Sequence, residues 1–339
     1  MALPLFRLPI LVIKLILETM GFIEIFVLAS TSSDTKRIIK NLVRIRNHEM
    51  IILMEKECFV FHFQSKTIPD FCAPIYMNSK ECFKPKNVFH MKIGDMYHVP
   101  SEFHRANDDT IILTIYWNHT VDHGTALYTA LLEVFRIPQK GIIMNLNNVA
   151  VENCRSWINW NNDYFPDNSF LEITGTCSFH DYTWILKNVR TKHKLFLRVE
   201  PSGYPESPEN IEILKFEVPI IIIHHGKWIK PQQLKAFKAE EIIVNSASLT
   251  DAQINTFLRD WMNSEEASML KQLTIRFNRE ADSEVVLEGM DATDEDLMKP
   301  EDALSQWSFK MANGERCTVI YAEYEENVQT FGFEFIVGK

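Results

Sequence analysis

From Ile10 to Met20 apolar residues fill the chain almost all round, broken only by Lys14, Glu18 and Thr19. That density predicts a first helix. Leu8-Pro9 opens it, where proline is tolerated because a first-turn N–H has no intrahelical acceptor. Gly21 stops it, since glycine accepts a left-handed cap without steric cost. Ile23 to Ala29 predicts a second short helix. Ser32 or Ser33 caps a third, with Asp34 in its first turn and Ile38, Ile39, Leu42 and Val43 on one face. Three short helices need one apolar face each. Leu5, Phe6, Leu8, Ile16, Leu17, Met20, Ile25 and Leu28 exceed that need, so the surplus goes either against the rest of the same chain or into a partner.

The pattern then shortens. Met50 to Gln64 reads as two strands, and Cys58 to Gln64 alternates as a half-buried strand does. Lys66 to Pro100, rich in Pro, Asn, Ser and Lys, reads as loop with short strands. Thr110 to Trp117, rich in β-branched and aromatic residues, is a strand. Together these predict a small antiparallel sheet over 46–123.

From about Gly124 helical and strand patterns alternate. Helices are predicted over Thr125 to Phe135, Val151 to Asn161 and Phe179 to Val189, with strands at Gly141 to Leu146, Phe170 to Thr174, Lys194 to Val199, Ile211 to Phe216 and Ile220 to His224. Near Thr250 the pattern is clearest. Thr250-x-x-Gln253 is a capping box, and Ile254, Phe257, Leu258, Trp261 and Met262 follow as one apolar stripe. Glu241 to Val244 precedes this helix as a strand and Leu270 to Phe277 follows as another. Strand starts near Gly141, Phe170, Lys194, Glu241 and Leu270 recur at roughly 25–30 residues where no repeat is skipped, within the range of leucine-rich repeats. The leucine/asparagine consensus of such repeats is absent. A doubly wound α/β sheet is the rival, without a glycine-rich phosphate loop to support it. Arg279 to Asp302 is strongly acidic and reads as a mobile loop, with docking of a basic partner as the functional alternative. Trp307 to Lys310, Cys317 to Tyr324 and Thr330 to Val337 read as closing strands covering an open sheet edge.

Composition narrows the function. A chain of 339 residues, 46% hydrophobic, supports a large core plus a small module. A formal charge of -10 argues against a general nucleic-acid binder. The densest basic cluster, Lys36, Arg37, Lys40, Arg44 and Arg46, sits at helical spacing and reads as a solvated helix face. The six cysteines, Cys58, Cys72, Cys82, Cys154, Cys177 and Cys317, form no CxxC pair and no zinc spacing, as expected of reduced thiols. Asn118-His119-Thr120 is a glycosylation triplet without a secretion signal. The apolar run Leu8 to Ile13 is far shorter than the roughly 20 residues of a membrane span, so no membrane association is expected. His119 and His123 lie four apart without an evident third ligand, and His224-His225 ends a strand; both are read as ordinary histidines. GxSxG, Walker A, HExxH and kinase motifs are absent. No catalytic residue, cofactor or metal site is expected, although a hydrolase with an unrecognised pocket stays open.

Leu8-Pro9, Val12, Leu17, Met20, Ile25, Leu28, Ser32, Thr35-Lys36 and Ile38-Ile39-Lys40 resemble an F-box of the nematode type over Pro4 to Lys40 without a gap. Gly21-Phe22 stands where that family usually has Asp-Pro, and Leu11 where other F-boxes carry an acid. Trp228, Leu234, Phe237, Ile242-Ile243-Val244, Ser248-Leu249-Thr250, Ile254-Asn255, Phe257-Leu258, Trp261 and Leu270-x-x-Leu273 resemble the F-box-associated domain, type 2, over 228–277. The two resemblances imply an α+β chain: a three-helix F-box at 4–45, a β-rich linker region at 46–123, and an irregular α/β leucine-rich-repeat-like region at 124–339. They also imply a function. The chain would be a non-catalytic substrate-recognition adaptor of an SCF-type cullin–RING ubiquitin ligase in the cytoplasm or nucleus. Leu8, Pro9, Val12, Leu17, Met20, Ile25 and Leu28 would face the Skp adaptor, and the C-terminal region would hold an unidentified protein target. The alternative is a non-ligase interaction module that uses the same helices for another partner.

Overall fold

The computed structural model describes residues 5–43, 48–66, 72–78, 87–105, 110–117, 120–165, 167–204, 212–213, 215–263, 269–295, 300, 303–326 and 328–338. The chain forms two compact units, Met1–Asn145 and Leu146–Lys339.

The first unit begins with a 3-10 turn at Leu5–Arg7 and the expected helices α1 (Ile10–Thr19), α2 (Phe22–Ala29) and α3 (Ser33–Leu42). Of the two candidate caps for α3, Ser32 serves: its hydroxyl accepts from the Thr35 N–H at 3.1 Å. Strands β1 (His48–Met54), β2 (Cys58–Ser65), β3 (Cys72–Asn78), β4 (Phe89–Ile93), β5 (Met96–Arg105) and β6 (Ile111–Tyr116) follow, then α4 (Val121–Phe135) and β7 (Gln139–Asn145). Their order in the sheet is β7-β1-β2-β3-β6-β5-β4. The expected antiparallel sheet is mixed instead. Hairpins make the neighbours β1/β2, β2/β3, β4/β5 and β5/β6 antiparallel, but β3/β6 and β1/β7 run parallel. Parallel neighbours need a long crossover. The β4–β5 hairpin supplies one and α4 the other.

Helix α4 belongs to this unit. It touches α2 and α3, and α2 also touches β3 and β6. Phe22 stacks on Phe135 of α4 with ring centroids 4.0 Å apart and lies 4.1 Å from the ring of Phe63 in β2. Ile23, Ile25, Phe26 and Ala29 are buried beside it. Lys36 of α3 reaches Glu133 of α4 at 2.6 Å. The second and third helices are thus sewn to their own sheet.

The second unit contains α5 (Val151–Tyr164), β8 (Phe170–Ser178), α6 (Phe179–Asn188), β9 (Lys194–Ser202), β10 (Phe216–Glu217), β11 (Ile220–Ile223), α7 (Pro231–Ala236), β12 (Phe237–Lys238), β13 (Glu241–Val244), α8 (Asp251–Met262) and β14 (Gln272–Phe277). It closes with α9 (Ser283–Val286), β15 (Thr293–Asp294), β16 (Ala303–Lys310), β17 (Arg316–Glu326) and β18 (Val328–Gly338). Strands β8, β9, β11, β13 and β14 lie side by side in chain order, each parallel to the next. Inward positions such as Leu171, Leu197, Ile221, Ile242 and Leu273 are fully buried. The capping box forms in both directions: Gln253 N–H donates to Thr250 Oγ1 at 3.3 Å, and Thr250 N–H donates to Gln253 Oε1 at 3.0 Å. The architecture is α+β, with helices first and a mixed sheet in each unit.

The expected closing strands are β16, β17 and β18, and β18 lies antiparallel on β14, covering the edge of the parallel run. The acidic stretch after Arg279 is not simply a loop. Asp282 caps α9 by accepting from the Glu284 and Val285 N–H groups, and Asp251 holds the Arg279 guanidinium at 2.6 Å. Charge that sequence assigns to solvation is here spent on local caps and pairs. Asp296, Glu301 and Asp302 of the acidic run lie outside the described residues, as does 211 at the start of one expected strand.

Gly332 makes the closure possible. A Cβ there would sit 2.7 Å from the Ile275 carbonyl oxygen of the paired strand. The obstacle is backbone and cannot swing away, so Gly332→Ala is expected to cost about 1–3 kcal/mol. The midpoint of urea unfolding of the full chain checks this; an unchanged midpoint would mean that β18 shifts freely.

Candidate functional site: the open face of the first helix

Helix α1 is apolar almost throughout, yet only Ile13 and Leu17 are buried. These two are four residues apart and form one inward stripe. Leu11 and Leu15, also four apart, point away from it and are 72% and 63% exposed. Ile10 and Val12 extend the patch at 63% and 39%. Pro9 starts the helix from an extended conformation and is itself exposed. Lys14 and Glu18 pair at 3.7 Å on the water side, so the patch has a charged margin.

Contiguous apolar surface with a polar rim is the mark of an interaction site. Full burial of a Leu or Ile side chain is worth about 1.5–3 kcal/mol. Weighted by their exposure, Ile10, Leu11, Val12 and Leu15 offer on the order of 5 kcal/mol. Association itself costs about 4–15 kcal/mol. The four residues alone therefore do not make a tight complex; Leu8, Met20 and Leu28 of the same three-helix segment are half-buried.

The seven residues expected at this surface separate into three groups. Pro9 and Val12 are exposed; Leu8, Met20 and Leu28 are half-buried; Leu17 and Ile25 are buried within the chain. Leu17 and Ile25 lie on the inward stripes of α1 and α2 and are covered by this same chain. Ile10, Leu11 and Leu15, outside that set, are exposed. Helical phase was the signal available for Leu11 and Leu15, which fall opposite Ile13 and Leu17 on a turn of 3.6 residues.

The basic cluster is a helix surface as far as it is described: Lys36 pairs with Glu133 and Arg37 with Asp34 at 3.2 Å. Arg44 and Arg46 lie outside the described residues, and so does His119 of the histidine pair. Its partner His123 contacts the Thr120 hydroxyl through Nδ1 at 2.9 Å. Among the described residues no three His, Cys, Asp or Glu side chains gather to hold a metal. Nor is any described helix long and apolar enough to cross a membrane.

Among the described residues Cys58, Cys154, Cys177 and Cys317 form no disulfide. Burial pushes Cys154 up to about 11 and Cys177 and Cys317 up to about 12. A thiol reacts as its thiolate. Alkylation of these three in the native chain at pH 8 is therefore expected to be slower than in urea on the order of a hundredfold or more. Mass spectrometry of iodoacetamide-treated protein reads this directly; rapid native labelling at any of the three would mark a reactive site.

A model described as "F-box domain" matches residues 5–47, and a model described as "F-box associated" matches residues 208–275. No curated protein and no solved structure matches the chain significantly. The first match contains the whole of α1, α2 and α3, and the second runs from before β10 into β14, as far as Ile275.

Proposed function

We propose, from the premise that this chain is an F-box protein carrying an F-box-associated region, that it recruits protein targets to an SCF-type cullin–RING ubiquitin ligase. The F-box at 4–45 docks on the Skp adaptor. The region at 124–339, an irregular leucine-rich-repeat-like stack in this reading, presents a surface to the target, and the β-rich stretch at 46–123 links the two. The observation that carries the reading is the apolar, water-facing patch of Ile10, Leu11, Val12 and Leu15 on a helix whose other side is already satisfied.

The docking surface is the exposed patch together with Pro9 and the half-buried Leu8, Met20 and Leu28. The chain needs no chemistry of its own. Holding a target near a ubiquitin-charged enzyme turns an encounter between two free molecules into one at high effective concentration. Three separate features support this division of labour: the F-box match, the F-box-associated match and the open helix face.

Direct mixing tests it. Purified full-length chain and purified Skp adaptor are expected to co-elute as a one-to-one complex that also recruits the cullin subunit. Absence of a complex at micromolar concentrations would overturn the ligase reading. It would leave α1 as a docking helix for a different partner.

A further inference from the structure

A cleft of about 590 Å³ opens in the second unit between the C-terminal end of α6, the turn leading to β9 and the segment just before β11. Its walls carry Lys187, Arg190, Lys192 and Lys215, with Glu217 as the acid facing them. Four cations around one hollow stand out in a chain of formal charge -10.

Glu217 is already engaged by Lys238 at 2.6 Å, outside the cleft. Lys187 and Lys192 reach Glu212 and Asp167, but all four of these side chains are exposed. Exposed pairs of this kind are weak and exchange readily. Among the described residues Arg190 and Lys215 have no ion pair. Counting the flanking partners, five cations face three acids among the described residues.

The turn that displays Arg190 is held rigidly from below. Asn162 of α5 donates to the Asn188 carbonyl at 2.7 Å and accepts from the Arg190 N–H at 2.9 Å. Asn161 donates to the Arg190 carbonyl at 2.9 Å and is itself fully buried. Thr191, on the same wall, has a buried hydroxyl with no partner among the described residues. A preformed site loses less freedom when it binds. The carboxylates already drawn to Lys187 and Lys192 show which chemistry these cations receive.

We propose that this cleft docks an acidic segment, rich in Asp and Glu, of a partner protein. The inference deepens the target-recruiting reading and rests on it only for the partner's fate as a ligase target. The segment's carboxylates displace Glu212 and Asp167 from their lysines and take Arg190 and Lys215 directly. Charge complementarity of this type governs encounter and orientation, and weakens with salt.

Fluorescence anisotropy with a labelled glutamate-rich peptide and the full chain tests the proposal. Salt-sensitive binding is expected, weakened at least about tenfold by Arg190→Glu/Lys215→Glu. Both residues are exposed, and Arg190→Gln/Lys215→Gln, expected to act in the same direction, guards against misfolding of the reversal variant. Adaptor co-elution of the same samples should be unchanged, so loss of peptide binding and loss of adaptor binding are read separately. The proposal is overturned if the peptide does not bind, or if the variants bind it as tightly as the wild type. It is also overturned if a phosphoserine peptide binds and the glutamate-rich one does not, or if duplex DNA competes equally.

Discussion

Leu11→Asp/Leu15→Asp is expected to abolish co-elution with the Skp adaptor while leaving the unfolding transition of the chain nearly where it was. Both side chains are well over half exposed, so the folded chain loses little packing when they change. Substitutions at such sites usually move stability by no more than about 0.5 kcal/mol. In a complex the same positions are covered. There each carboxylate would be stripped of water without a partner, at a cost of about 2 kcal/mol or more per group, on top of the lost leucine burial. Two such sites give a loss of affinity well beyond a hundredfold. Leu17→Ala supplies the contrast. It removes a core side chain and should cost about 2–5 kcal/mol of stability, so any loss of binding would follow the loss of fold. A double variant that still binds, with its circular dichroism intact, would rule out α1's outer face as the docking surface.

Much of this arrangement is legible in the amino-acid order because it rests on local rules. A stripe at Ile254, Phe257, Leu258 and Trp261 can only be one helix face, and Thr250 with Gln253 fixes where that helix starts. The cap at Ser32 likewise starts α3, whereas Gly21 breaks the chain as the extended N-cap of α2 and not in the left-handed conformation expected of it. What escapes is set by contacts distant in sequence. The parallel pairing of β1 with β7 joins positions some ninety residues apart, and nothing in either strand announces its neighbour. The exposure of α1 is a similar case. Its composition predicts a surplus of apolar surface, but which residues form the surplus depends on what the rest of the first unit covers. That is why a family pattern led to Leu17 and Ile25, which are core, and passed over Leu11 and Leu15, which face water. In the cleft of the second unit, Lys187, Arg190 and Lys192 are close in sequence, but Lys215 arrives from a later segment.

Phe22→Ala is expected to cost about 3–5 kcal/mol of stability, the range for emptying a buried aromatic site. Phe22 occupies the position where F-boxes of this type usually carry proline, and it does something a proline ring cannot. Its ring lies between Phe135 of α4 and Phe63 of β2, at 4.0 and 4.1 Å, joining a helix of the F-box to both layers behind it. It is also the first residue of α2, directly after the extended Gly21. Proline is well accepted there, since its fixed φ suits a first helical turn. Phe22→Pro should therefore preserve the start of the helix and still lose most of the stability that Phe22→Ala loses. That outcome would assign the effect to the aromatic stack rather than to helix propensity. Urea unfolding of the two variants, followed by tryptophan fluorescence and amide exchange in β2 and α4, measures it. If Phe22→Pro were as stable as the wild type, the ring would be a passenger and the other buried residues of α2, Ile23, Ile25, Phe26 and Ala29, would suffice to hold that helix. If the stack acts as argued, weakening it at low temperature should leave adaptor binding intact, because Leu11 and Leu15 belong to the opposite, water-facing side of the same small bundle.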